Sequence, residues 1–387
     1  MPQPGTSPAK PKGLADVVAA STAISDIDGR AGVLSYRGYD IHDLGGGVSF
    51  EECAYLLHRG DLPNRAQLAE YRAELAAGRE LGPTTEAVLA TDVATRPPME
   101  ALRTLVSALS ADDPDTDSNA PEANARKAAR LTAQMPVLVA AYHARRTGDD
   151  VPAADPELGV AGNFLLQITG RHPDPMAVSV FDECLVLHAD HTMNASTFAA
   201  RVCAATLSDM HSAVTAAMGT LKGPLHGGAN EQVMKMLTEI DQRVDDESQR
   251  PRTVAGYVKA KLDAGEKIMG FGHRVYRTED PRATHLRKMS RSLAELTGDP
   301  RWYEMSSHME QTVFEVKGLR PNVDFYAASV YHYLGIPTDL FTPVFSVSRM
   351  SGWTAHVIEQ HADNRLIRPD SEYIGEPARK VKPLDER

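Results

Sequence analysis

The chain has 387 residues, 42% of them hydrophobic, and a formal net charge of -11 at pH 7. That length calls for a main domain plus a second lobe, and the acidic balance excludes a general affinity for nucleic acid or anionic membrane, so an anionic ligand must be caught by a local arginine cluster. No run approaches the roughly 18 apolar residues of a bilayer span, and Cys53, Cys184 and Cys203 are far apart with no CxxC pair, which predicts core side chains in a reducing, cytoplasmic setting and argues against a disulfide frame or thiolate zinc site.

In chain order, the opening MPQPGTSPAKPKG lacks the apolar stretch of a signal peptide and reads as a short disordered leader. The stretch VVAASTAISDIDGRAGVLSYRGYDI places β-favouring residues on both sides of Asp28-Gly29, which predicts a hairpin with a tight turn there. Helices dominate afterwards. In PPMEALRTLVSAL, Leu102, Leu105, Val106 and Leu109 form an apolar stripe behind a Pro-Pro start. DDPDTDSNAPE reads as a solvated acidic loop, and a helix from Ala123 to Arg146 is expected to kink at Pro136. STFAARVCAATLSDMHSAVTAAMGTL, rich in small side chains, predicts one buried helix at a close helix or subunit contact. Strand-helix alternation and internal repeats are absent, so the fold class is mainly α with a short N-terminal β-hairpin.

Four segments of the C-terminal half carry the chemistry. In LHADHTMNAS, His188 and His191 stand three apart, a spacing that shares a helix face, with Asp190 beside them. A zinc pair is one reading. HExxH, a third ligand at an expected spacing and a cysteine partner are all missing, so hydrogen bonding to a polar substrate or within a buried network is preferred. In LKGPLHGGANEQVMKML, Gly223, Pro224, Gly227 and Gly228 bend the chain around His226, just ahead of a helix from Ala229. The positive end of that helix disfavours imidazolium, so a neutral His226 can donate to a developing oxyanion; the residues alone leave this open against a structural histidine.

In EKIMGFGHRVYRTEDPRA, Gly270 and Gly272 precede His273, with Arg274, Arg277 and Arg282 downstream. A dinucleotide loop fails because Val275 stands where a third glycine is required. Clustered cations beside small residues suit a phosphate-bearing or polycarboxylate ligand, with a solvated basic face as the alternative. Finally, Asp324 in PNVDFY has an apolar setting that would raise its pKa and strengthen it as a base, or it caps the helix AASVYHYL. Arg349 and Arg368 add two guanidinium groups, each able to hold a carboxylate bidentately.

The strings LHADHTMNASTFAARV, GPLHGGANE, KIMGFGHRVYRTEDPRA, PNVDFYAASVYHYLGIPTDLFTPVFSVSRMSGW and NRLIRP resemble the signature blocks of the citrate synthase family, in its order and spacing, from about residue 15 to the end. The resemblance implies a catalytic trio at His226, His273 and Asp324, and oxaloacetate ligands at His191, Arg282, Arg349 and Arg368. It implies contacts to CoA from Lys267, Ile268, Met269, Gly270 and Phe271. It also implies a two-domain helical fold, with residues 1–226 and 330–387 as the large domain and 227–329 as a small mobile one that closes after oxaloacetate binds. A homodimer is implied, Arg368 reaching the partner's active site, with no metal and no permanently bound cofactor; acetyl-CoA is a co-substrate.

The implied reaction joins acetyl-CoA to oxaloacetate and water, giving citrate and CoA through citryl-CoA, the first committed step of the tricarboxylic acid cycle. 2-Methylcitrate synthase, which uses propionyl-CoA, is the close alternative, although PNVDFYAASVYHYLGIP resembles the citrate branch more. A zinc hydrolase built on His188, Asp190 and His191, or a nicotinamide oxidoreductase, is a distant one. Pro97-Pro98-Met99 and Thr192-Met193 depart from the family's common His-Pro-Met and Gly-Phe, and position 192 borders the oxaloacetate site.

Overall fold

A computed structural model of the chain describes residues 12–14 and 17–387. The expected leader falls almost wholly on residues 1–11, outside the described residues. Strands β1 (Ser25–Asp28), β2 (Val33–Tyr36) and β3 (Tyr39–Asp40) form an antiparallel sheet in that order, Ser25 facing Tyr36 and Tyr36 facing Tyr39. The turn is longer than the Asp28-Gly29 pair suggests. It spans residues 29–32, because the Asp28 carboxylate accepts the amides of Arg30 and Ala31 at 2.8 and 2.9 Å and Gly32 closes the loop at φ 74°.

Helices α1 (Ile41–Leu44), α2 (Phe50–Arg59), α3 (Arg65–Ala77), α4 (Pro83–Leu89) and α5 (Pro98–Ala108) lead to α6 (Pro121–Thr147), one element with Pro136 inside it. Then come α7 (Val160–Thr169), α8 (Pro175–His188), α9 (Ala195–Ala204), α10 (Met210–Leu221) and α11 (Ala229–Asp241). The chain ends with α12 (Arg250–Asp263), α13 (Pro281–Thr297), α14 (Arg301–Lys317), α15 (Val323–Tyr333) and α16 (Phe341–Ala362), followed by an exposed tail. Helix α16 is buried on nearly every face, as a helix threading a helical core must be, and packs on α2, α6, α8, α9 and α10. Helices α11 to α15 pack chiefly on one another.

Four expectations need correction. The small-residue stretch is two helices, because Leu207 turns left-handed at φ 66° and Asp209 caps α10 by accepting the Ser212 amide. His188 and His191 do not share a helix face, because α8 ends at His188 and Thr192 sits at φ 47°. Asp324 is not the cap of its helix: Asn322 is, accepting the Asp324 amide at 3.0 Å. The acidic loop is not simply solvated. It folds over α6, where Asp113 pairs with Arg130 at 2.6 Å and lies 3.3 Å from His211, and Asp115 pairs with Arg126 at 2.6 Å. The spacing of acids along the chain does not disclose the cations that face them.

Candidate active site

The segment after α8 divides its three polar residues between separate tasks. His188 is fully buried, with Nδ1 2.7 Å from the Cys184 carbonyl, and burial holds its pKa down at about 3. Asp190, also fully buried, accepts hydrogen bonds from Ser25 and the Thr192 amide and faces His356. Only His191 turns to the site, its Nε2 3.3 Å from the Tyr276 hydroxyl and its ring centroid 5.4 Å from that of His273. The three do not converge as metal ligands. Among the described residues no group of three or more His, Cys, Asp or Glu side chains is placed to hold a metal ion.

His226 sits in the bend between α10 and α11. Gly227 has to be glycine there, since a Cβ would lie 2.4 Å from the Leu221 carbonyl oxygen. The Ser196 amide, in the first turn of α9, donates to His226 Nε2 at 3.3 Å, and the Ser196 hydroxyl lies 2.8 Å from the same nitrogen. An amide can only donate, so Nε2 is the acceptor and the ring proton is assigned to Nδ1. Trp353 on α16 donates to the Ser196 hydroxyl at 3.1 Å and fixes it. Burial, then the positive charge of Arg349, holds the His226 pKa down at about 4, so the ring is neutral.

The second histidine has the opposite tautomer. The amides of Val275 and Tyr276 donate to His273 Nδ1 at 3.0 and 3.1 Å, which leaves the proton on Nε2. Burial, then Arg282, lowers its pKa to about 4. The preceding residues pair with those before Asp324: Phe271 bridges Pro321, the Gly272 amide donates to the Arg320 carbonyl at 3.0 Å, and the Asn322 amide donates to the Gly270 carbonyl at 2.9 Å. Gly270, at φ 82°, leaves no room for a Cβ, which would lie 2.8 Å from a Val233 methyl. This two-stranded clip holds His273 and Asp324 in fixed relation.

Asp324 lies in the first turn of α15 with part of its surface accessible, and no described donor reaches its carboxyl oxygens. The surrounding protein is still dense enough that burial, opposed by Arg282, pushes its pKa up to about 6. Arg282, 2% exposed, is held bidentately by Asp280 through Nε and Nη2 at 2.9 and 2.8 Å. Burial works against its charge, but Asp280 more than reverses this and its pKa lies above the ordinary value. Arg349, 1% exposed, has no carboxylate within ion-pair distance among the described residues. Its Nε donates to the His188 carbonyl at 2.8 Å, and burial lowers its pKa to about 10.

His191, His226, His273, Arg282, Arg349 and Asp324 are thus close enough for their charges to shift one another. Arg368 is not among them. Its side chain is 76% exposed, it pairs with Asp370 at 2.9 Å, and it borders a cavity of about 770 Å³ beside Ala23, Arg201 and Glu359. Of residues 267–271, Lys267 is exposed, Ile268 is buried, Met269 is half-buried, Gly270 is buried, and the Phe271 ring packs 4.5 Å from Phe325, next to Asp324.

The sequence profile described as citrate synthase, C-terminal domain, matches residues 13–370. Citrate synthase 2 of Bacillus subtilis (strain 168) is 51% identical over 379 residues, which cover 97% of this chain and 99% of that protein. The chain belongs to the citrate synthase family. It is therefore an acyltransferase. The family contains more than one specificity: a 2-methylcitrate synthase of Shewanella oneidensis is 43% identical over 97% of each chain. The solved ternary complex of citrate synthase from Thermoplasma acidophilum with carboxymethyl coenzyme A and oxaloacetate superposes with a TM-score of 0.88 at 32% identity, covering 97% of this chain and 99% of that one.

Set on this citrate synthase fold, the site contains residues that motif reading passes over. Asp280 holds Arg282 and also accepts the Val323 amide at 3.2 Å, tying the guanidinium to the helix that carries Asp324. Its signal was in the sequence, as an Asp-Pro pair opening α13. Tyr276 lay within a motif already singled out. Ser196 also lay within one, LHADHTMNAS, but nothing local marked its role, because its partners His226 and Trp353 are 30 and 157 residues away.

Proposed function

We propose that the protein condenses acetyl-CoA with oxaloacetate and water, releasing citrate and CoA. The observation that carries this reading is the set of two neutral histidines, each with its ring proton fixed on one nitrogen, around a carboxyl group with a raised pKa and no donor among the described residues. A thioester methyl is a very weak carbon acid, so its proton leaves only if the oxygen is stabilised as it does so. Asp324 takes that proton while His226 donates from Nδ1 to the thioester oxygen. As the enol carbon attacks the ketone carbon of oxaloacetate, the thioester carbonyl re-forms and its proton returns to His226. Meanwhile His273 gives its Nε2 proton to the ketone oxygen and regains one through solvent as Asp324 releases the methyl proton. Water then hydrolyses the thioester of citryl-CoA. His191, Arg282 and Arg349 hold the carboxylates of oxaloacetate, Arg349 gaining an anionic partner that it has nowhere among the described residues. No metal or resident cofactor enters this scheme.

His191, His226 and Arg349 fall in the segments assigned to the large domain, and His273, Arg282 and Asp324 in residues 227–329. We read the latter as the lobe that closes on oxaloacetate, expelling water before acetyl-CoA reacts. Residues 267–271, beside Phe325, would border the CoA chain. Arg368, exposed within one subunit, would complete the site of a second subunit in a homodimer. Mixing Arg368→Ala subunits with Asp324→Asn subunits should then restore activity in the mixed dimers, because one of their two sites is intact; no recovery after subunit exchange counts against shared sites. The three cysteines are free, Cys53 and Cys184 buried and Cys203 half-buried, which suits the reducing, cytoplasmic place we propose.

The base sets the pH dependence. Asp324 acts only when ionised, and its pKa is pushed up to about 6, whereas both histidines stay neutral above about 4. With oxaloacetate saturating, kcat/KM for acetyl-CoA should fall about tenfold per pH unit below that upper value. A midpoint near the histidine values would assign the acid limb to the wrong group.

Propionyl-CoA adds one methylene, which a pocket discriminates by only about 1 to 3 kcal/mol. We place the protein on the citrate side, as are its 51% and 50% identical relatives by name. Release of CoA thiol with each thioester and oxaloacetate tests this. Acetyl-CoA should turn over faster; faster turnover of propionyl-CoA moves the protein to the methylcitrate branch, and no release from either removes the catalytic reading.

A further inference from the structure

Thr192 follows His191 directly and holds a left-handed backbone, φ 47°, that β-branched residues rarely adopt. Such strain persists only where the surroundings over-determine it. Here they do so through Asp190, whose amide, carbonyl and carboxylate Oδ2 all form hydrogen bonds, while Oδ1 makes none and only faces His356. Its amide donates to the Tyr36 hydroxyl at 3.2 Å, and that hydroxyl donates to its carbonyl at 2.9 Å. Its carboxylate accepts the Ser25 hydroxyl and shares the Thr192 amide with the Ser25 hydroxyl oxygen, each at 3.1 Å, with His356 Nε2 at 3.2 and 3.3 Å from the two carboxylate oxygens. Arg201 donates to His356 Nδ1 at 3.1 Å, so the His356 proton is on Nε2 and points at Asp190. Helix α16 closes the arrangement from behind: a Cβ on Gly352 would lie 2.3 Å from the Ala189 carbonyl oxygen. Asp190, Ser196 and His356 are fully buried, and only His191 of this stretch faces His273 and Tyr276.

We propose that Asp190 is a positioning residue for oxaloacetate: its carboxylate, fixed by Ser25 and His356, holds the Thr192 amide, keeps that residue left-handed, and thereby aims His191 at the substrate. This rests on reading His191 as an oxaloacetate ligand. An amide oxygen on a neutral side chain holds the Thr192 amide less strongly than a carboxylate does, so Asp190→Asn should let the turn relax toward negative φ and carry His191 away. Glycine adopts the left-handed region without steric cost, so adding Thr192→Gly removes the need for the anchor.

The test is calorimetric titration of oxaloacetate into the unaltered protein, Asp190→Asn and Asp190→Asn/Thr192→Gly, with KM and kcat measured alongside. Asp190→Asn should weaken binding about tenfold, with the loss in KM for oxaloacetate more than in kcat, and the second substitution should recover most of it. A general loss of core stability would not be repaired by glycine. If Asp190→Asn does not fold, Ser25→Ala, which removes one anchor, should weaken binding about threefold and be rescued in the same way. Unchanged binding in the folded anchor variant, or a loss that glycine leaves intact, overturns the proposal. Failure of the unaltered protein to bind oxaloacetate overturns the assigned function, and this inference with it.

Discussion

Asp324→Asn is expected to lower kcat on the order of 10³-fold while leaving oxaloacetate binding within about twofold. The amide is nearly isosteric, and no described donor contacts the carboxyl oxygens, so little in the resting structure depends on the charge. What disappears is the one group able to accept a methyl proton. Burial has already raised its basicity, and the clip of residues 270–272 against 320–322 holds it in register with His273. The loss should therefore appear in the proton-transfer step: kcat falls, calorimetric binding of oxaloacetate persists, and the acid limb near the Asp324 pKa vanishes from the residual rate. A kcat within tenfold of the unaltered protein would mean that another group is the base.

The two buried arginines are both expected to lose oxaloacetate affinity on loss of charge, but to differ in the effect on stability. Arg349→Met removes a guanidinium that has no carboxylate within ion-pair distance among the described residues, so the thermal midpoint should hold or rise, while oxaloacetate affinity falls on the order of 10²-fold through loss of a charge-assisted clamp. Arg282→Met strands Asp280, 1% exposed, without the cation that holds it bidentately. Breaking a buried pair in this way costs about 3 to 5 kcal/mol, so here affinity and thermal midpoint should drop together. Thermal unfolding and titration on the same samples separate the cases. Equal losses of stability would show that Arg349 has a structural anion after all, and unimpaired binding by Arg349→Met would remove it from the substrate site.

How far the sequence discloses this site depends on whether a residue's signal is local. His226 is marked by glycines and a proline, and the structure gives the steric reason at Gly227. Asp324 is marked by apolar neighbours, and burial does raise its pKa. The helical class follows from periodicity, and α6 matches its expected span to within two residues at either end. The misreadings have non-local causes. Nothing in HADHTMN signals that α8 stops at His188, because the stop is imposed by Tyr36, Ser25 and His356, which are distant in sequence. Asp113 and Asp115 read as solvated because Arg130 and Arg126 meet them only through tertiary folding. Arg368 remains apart from the other site residues within one chain, where it is exposed and paired with its near neighbour Asp370.

The most direct measurement follows the methyl carbon itself. Acetyl-CoA labelled with carbon-13 at the methyl position is incubated with the protein and oxaloacetate, and the product is read by carbon NMR. Condensation through Asp324 places the label in a methylene of citrate, with stoichiometric CoA release that requires oxaloacetate. Label recovered as free acetate would mean thioester hydrolysis, and label left in acetyl-CoA would mean no reaction; either result contradicts the assignment.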